Sequence, residues 1–199
     1  MSLQNVYRGI LLIVACAVVS GCGIQAIPES ENAVEASTSE VTNQYKRRAD
    51  LIPNLVNTVK GYASHEKETL EGVTEARAKA TAMNVDISKA TPEQVAAYQK
   101  AQGQLSQALG RLMVVAEKYP DLKADTSFRD LQAQLEGTEN RITVSRNRLI
   151  ASIQDYNNLI TVFPTSLTNS IFFHKSKKAQ WDLSEPEKAA AEKAPEVKF

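Results

Sequence analysis

The densest set of polar side chains in this sequence is Glu136, Glu139, Asn140 and Arg141. Glu136 and Glu139 are one helical turn apart, so both carboxylates fall near one face of a helix. Paired carboxylates perform acid-base chemistry when their surroundings drive their pKa values apart. With Arg141 beside them, the set would suit a small-ligand binder or an enzyme. The other reading is a salt-bridged face directed at Arg47, Arg77 or Arg146 of other helices. Metal chemistry fares worse. A di-metal bundle takes a Glu-x-x-His pair from each of two helices, and His65 and His174, the only histidines, complete none. Serine-nucleophile motifs, paired CxxC ligands and glycine-rich phosphate loops are absent too. No catalytic, metal or cofactor-binding residue is assigned.

A different chemistry is suggested by Cys22. Arg8 opens a short basic region, residues 10–19 are apolar, and Val19-Ser20-Gly21-Cys22 closes the run. An aliphatic residue, two small residues and a cysteine resemble the lipobox of bacterial lipoproteins, where the chain is cleaved before the cysteine and its thiol is acylated. Ten helical residues reach only about 15 Å, half the roughly 30 Å hydrocarbon core. Two or three acyl chains give stable anchoring where one does not. The alternative is an uncleaved membrane helix over residues 10–27, which Gly21, Gly23 and Gln25 weaken. Either way the remainder lies outside the cytoplasm, and on the lipobox reading it is lipid-anchored to the cell membrane or outer membrane. Gly23 is not the aspartate associated with inner-membrane retention.

The elements that would position these groups are helices. In residues 43–77 the apolar positions Tyr45, Ala49, Ile52, Val56, Val59, Ala63, Leu70 and Val73 recur in steps of three and four, giving one buried stripe. Glu66 and Arg77 interrupt the seam. About 16 Å apart along one helix, they cannot pair with each other, and if buried they need partners elsewhere, as members of polar layers that fix helix register. Lys46, Arg47 and Arg48 form a short basic run, read as a solvated face or as a contact to lipid phosphates or an acidic partner. Pro53 favours a break, because inside a helix it forfeits a backbone bond at about 3 kcal/mol. Asp50 would then cap a second helix reaching about Met83, with Asn84 as its stop. The stripe nevertheless continues through the proline without a slip.

Thr91, Pro92 and Gln94 make a capping box for a third helix with Val95, Tyr98, Gln102, Leu105, Leu109, Leu112, Ala116 and Tyr119 on its stripe, ending at Pro120. A fourth carries Phe128, Leu131, Leu135, Thr138, Ile142, Ser145, Leu149, Ile153, Tyr156, Ile160 and Phe163. Short connections make such helices antiparallel neighbours. The expected fold is all-α: an antiparallel up-and-down four-helix bundle, its first two helices joined at a break near Pro53. Residues 1–21 read as a signal peptide, 22–29 as a lipidated tether, 30–163 as the bundle and 164–175 as a short apolar helix or patch with Leu167, Ile171, Phe172 and Phe173. Residues 176–199 read as a disordered polar tail. Phe172, Phe173, Lys175 and Lys178 also suit a membrane surface. Acidic and basic residues balance at 23 each, so no overall field draws the chain to nucleic acid.

NQYKRRADLIPNLVNTVKGYASHEKETL at 43–70, VTEARAKA at 73–80, FRDLQAQLEGTENRITVSRNRLI at 128–150, DYN at 155–157, FPT at 163–165 and the closing APEVKF resemble the LemA family of bacterial envelope proteins. The resemblance implies an extracytoplasmic helical bundle on a membrane anchor, often encoded near envelope-quality-control or membrane proteins, and it does not imply a catalytic activity. Many members keep a transmembrane helix where this chain has its lipobox. The expected function is interaction: a scaffold at the cell envelope, held to the membrane by acylated Cys22, with other envelope proteins as partners. The rivals are a lipid-binding or membrane-remodelling module and an enzyme or ligand binder built on Glu136, Glu139 and Arg141.

Overall fold

The computed structural model of the chain describes residues 24–83 and 85–181, and these contain helices, turns and loops but no strand. The signal segment, Cys22, Asn84 and residues 182–199 lie outside the described residues. Two long helices set the length of the fold: α1, Ala26–Tyr62, with 37 residues, and α5, Thr126–Thr161, with 36. At 1.5 Å per residue each spans about 55 Å. They run antiparallel, in a register marked by Ser37 against Ser152 at 2.9 Å, Glu40 against Arg148 at 2.8 Å and Arg48 against Glu139 at 2.7 Å. Between them in sequence come α2, Lys67–Ala82, α3, Pro92–Ala116, and the short α4, Pro120–Ala124. After α5 come α6, Thr165–Thr168, and a single π-helical turn, Asn169–Phe173. The close-packed pairs are α1 with α5 and α2 with α3, and α2 also lies against α1.

The expected break at Pro53 is not observed. α1 continues through the proline, Asp50 is an exposed residue within the helix, and the chain turns at residues 63–66 instead. A turn at Pro53 was needed only if the first helix would otherwise project uncovered. It does not, because α5 runs beside it for nearly its whole length. The start of α3, residues 85–90 and Trp181 close over its N-terminal half. The missing backbone bond is made good from another helix. Pro53 has no N–H to give the carbonyl of Ala49, and Arg77 of α2 donates its Nε–H to that oxygen at 2.7 Å.

The stripes read from the sequence form most of the core, but Val56, Tyr119 and Leu131 are half-buried, and Phe163, expected on the stripe of the fourth helix, stands in solvent because α5 ends at Thr161. Sequence reading missed Leu55, which is fully buried. The helix starts follow local rules. Thr91 Oγ1 accepts from the Gln94 N–H at 3.3 Å, and Gln94 Oε1 accepts from the Thr91 N–H at 2.9 Å. Asp125, not singled out in the sequence, caps α5 by accepting from the Phe128 N–H at 2.8 Å.

The expected tail boundary also needs correction, since residues 176–181 are held on the bundle. The π turn ends at His174 in the left-handed conformation, φ 51°. The Asn169 side chain then bonds both backbone groups of Lys175, and that of Asn157 does the same for Lys178. Lys175 Nζ pairs with Glu31 at 2.7 Å, and Lys178 Nζ lies 4.9 Å from the Tyr156 ring centre. Trp181 is 3% exposed and meets Tyr98 edge-on at 6.2 Å. A segment fixed at three points buries an aromatic ring that composition alone assigned to a disordered tail.

Two outcomes are expected. Arg77→Met should lower stability by about 1–3 kcal/mol in urea unfolding, and by clearly less in a Pro53→Ala background, where residue 53 supplies its own N–H. Equal costs in both backgrounds would show that the Arg77 bond does not replace the one proline lacks. The hydrogen bond from Lys175 holds the Glu31 carboxyl below its ordinary value, against an opposing effect of burial. The same bond raises Lys175. The carboxylate's contribution is therefore present above the unfolded glutamate value and lost as pH falls through the folded one. The lysine's is present below its unfolded value and lost as pH rises through the folded one. Trp181 emission should accordingly shift to the red on acidification below the usual glutamate range, before the helices unfold, and Glu31→Ala should remove that step.

Candidate functional site

Arg48 lies three residues after Tyr45 and four before Ile52, which places it on the buried stripe of α1 rather than on the solvated face expected for the basic run. Lys46 and Arg47 are exposed, as expected, while Arg48 is 1% exposed. A buried guanidinium must be paired and hydrogen-bonded to be tolerated, and two other helices supply the partners. Arg48 Nη1 donates to Glu139 Oε1 of α5 at 2.7 Å and to Ser106 Oγ of α3 at 2.8 Å. Its Nη2 donates to Gln102 Oε1 at 2.7 Å and to the Gln102 carbonyl at 3.3 Å. Gln102 passes the connection on, donating from Nε2 to the Ala80 carbonyl at 3.3 Å. That oxygen belongs to the last turn of α2, where carbonyls have no partner within the helix. Arg48 Nε has no acceptor among the described residues.

This layer divides the core. On one side Ile52, Leu55, Leu105, Leu112 and Leu135 belong to one apolar cluster; on the other Val41, Tyr45, Tyr98, Ile142 and Leu149 belong to a second. The Arg48 guanidinium carbon stands 5.1 Å from the Tyr45 ring centre, and Tyr45 meets Tyr98 edge-on at 5.7 Å. Burial raises the Tyr45 hydroxyl, opposed by Arg48 and by a hydrogen bond with Arg146, and burial pushes Tyr98 up to about 12. Both phenols stay neutral at ordinary pH. The hydrogen bonds that converge on one guanidinium from α3 and α5 hold these helices in register with α1.

The remaining candidates separate. Glu66 accepts from the Tyr119 hydroxyl at 3.2 Å and Arg77 bonds Ala49, so both seam charges do have interhelical partners. Glu136 is exposed and accepts from Gln132 at 3.0 Å. Glu136 and the 42% exposed side chain of Glu139 line one groove of about 510 Å³ between α3 and α5, with Ser106, Gly110, Met113 and Asn140. Arg141 faces a second groove with Glu40, Gln44, Val144 and Arg148. The structure thus divides the Glu136, Glu139 and Arg141 set, and the carboxylate of Glu139 answers Arg48. The legible signal for the true layer was an arginine and a glutamine, Arg48 and Gln102, standing in phase on two apolar stripes. Among the described residues no group of His, Cys, Asp and Glu is placed to hold a metal ion, and no helix is long and apolar enough to cross a membrane.

The model of the LemA family matches residues 37–199. Protein LemA of Metamycoplasma hominis is 28% identical over 137 residues, covering 69% of this chain and 56% of the relative. Magnetosome protein MamQ of Magnetospirillum gryphiswaldense is 36% identical over 64 residues, 32% of this chain and 24% of that protein. Magnetosome protein MamQ 1 of Paramagnetospirillum magneticum matches to the same extent. The chain thus spans about half the length of the first relative and a quarter of the others.

Removing Glu139 leaves Arg48 buried without its counter-charge. Glu139→Ala should therefore cost about 3 kcal/mol, the lower end for broken buried pairs, because water reaches the Glu139 side. Arg48→Met combined with Glu139→Gln should be more stable than Glu139→Ala alone in urea unfolding. The reverse order would mean that the guanidinium is not the group that needs compensation.

Proposed function

The chain belongs to the LemA family, and from that premise we propose that it is a membrane-anchored interaction module of the cell envelope that works without catalysis. The observation that carries this reading is the fate of the charged and polar groups in the core. Arg48, Glu139, Gln102 and Ser106 are spent on one another and on the helix backbone. What remains for recognition is the outside: long polar helix faces and the shallow groove between α3 and α5 where Glu136 and Asn140 stand exposed. Such faces suit a protein partner reading a helical surface. The anchor is the acylated thiol of Cys22, supported by the Val19-Ser20-Gly21-Cys22 junction after a basic and an apolar stretch. A ligand-binding or catalytic role for Glu136, Glu139 and Arg141 has weaker support, because Arg141 faces another groove and Glu139 is tied to Arg48.

In cells fed a clickable fatty acid, the chain should take up the label and sediment with membranes, and Cys22→Ser should lose both. A photo-crosslinking residue at Glu136 should give a reproducible adduct in the acylated chain and not in Cys22→Ser. A chain that stays on membranes unlabelled would replace the acyl anchor with a spanning helix. Adducts that vary from one preparation to the next would remove the scaffold reading.

A further inference from the structure

One end of the molecule keeps large apolar side chains in solvent. Val162, Phe163, Leu167, Ile171 and Phe172 all stand exposed, Phe163 at 75% and Phe172 at 60%. Exposed valines elsewhere, Val114 and Val144, are isolated and ordinary. Five large exposed apolar side chains fall within the eleven residues 162–172, and concentrations of exposed apolar surface mark contact sites. The α1–α5 register places this end beside the start of α1. Continued from Ser37 and Ser152 to the end of α5, it brings the first turn of α1 level with Ile160 and Thr161, and Ile27 shares a core cluster with Ile160. Ile24, itself 45% exposed, is two residues from Cys22 and follows the apolar run at residues 10–19. The patch therefore stands where the membrane-directed part of the chain joins the bundle. The charge pattern agrees: no Asp or Glu occurs in residues 156–181, and His174, Lys175, Lys177 and Lys178 follow the aromatic pair. Glu31 neutralises part of that charge through Lys175 and Lys178, while Lys177 is exposed.

We propose that Val162, Phe163, Leu167, Ile171 and Phe172 form a foot that enters the boundary between headgroups and acyl chains of the bilayer to which the N-terminal segment tethers the chain. This rests on the anchoring part of the reading above. A tether at one cysteine leaves the bundle free to tumble. A second, apolar contact on the same end fixes its orientation, with the turn at residues 63–66 directed away from the membrane. Apolar side chains beside lysines suit that boundary, where interfacial segments bury about 5–10 Å deep.

The test uses the full acylated chain in phosphatidylcholine–phosphatidylglycerol vesicles with brominated acyl chains. Wild-type protein supplies the baseline, since Trp181 is in the core. Phe163→Trp, Phe172→Trp and, at the far end, Val114→Trp are compared by flotation and fluorescence. At the depth expected for an interfacial segment, brominated lipid should reduce the added emission at 163 and 172 at least about twofold, and leave that at 114 unchanged. If the protein floats but 163 and 172 are not quenched, the foot is wrong while the anchor stands. Should the protein fail to float, anchor and foot fall together. If 163 and 172 are shielded from both brominated lipid and aqueous acrylamide, a second copy or another segment of the chain covers the patch, and the foot is again overturned.

Discussion

A guanidinium held away from water at the centre of a helical protein dictates much of what surrounds it. Arg48 cannot be left unpaired, and no single neighbour satisfies it. Glu139 brings the counter-charge from α5, while Gln102 and Ser106 bring acceptors from α3. Through Gln102 the same network reaches the last turn of α2. α1, α2, α3 and α5 are therefore committed to one height along the axis of the long helices. Apolar stripes alone specify this poorly, since leucine against leucine is nearly as good one turn higher. A slip of α3 or α5 by one turn would strand the charge, at a cost of several kcal/mol, comparable with the whole stability of an ordinary domain.

Pro53 and Arg77 act one turn away and in the same sense. A proline inside a helix leaves one carbonyl without its usual donor, and here that carbonyl is a docking point for a side chain of α2. A local defect in α1 thus becomes a specific contact between helices. The length of α5 makes this possible, because a partner of equal length removes the need for α1 to fold back. Together these contacts tie the hairpin of α2 and α3 to the pair of long helices.

The two ends of the molecule differ in kind. The end formed by residues 63–66 and α4 is polar and closed by a leucine-rich cluster. The opposite end holds the start of α1, the end of α5, the π turn and the docked segment carrying Trp181, and its residues 162–172 keep five large apolar side chains in solvent.

The sequence by itself determined the helices and most of the core. Stripes at three- and four-residue spacing identify Tyr45, Val59, Leu109 and Leu149 as interior because a helix presents one face regardless of what covers it. The capping box at Thr91 was legible for the same reason, being complete within four residues. What covers a stripe is a property of distant segments, and there local reading failed. Pro53 invited a turn because its lost bond is local, whereas its compensation arrives from Arg77 in another helix. Arg48 resembled its exposed neighbours Lys46 and Arg47, and only the approach of α3 and α5 made it a buried charge. Trp181 lay in a stretch whose composition favours solvent, and the side chains of Asn157 and Asn169 decided otherwise. Periodicity fixed which side chains face inward; tertiary structure decided which of them meet, since hydrogen bonds between segments far apart in sequence leave no local pattern.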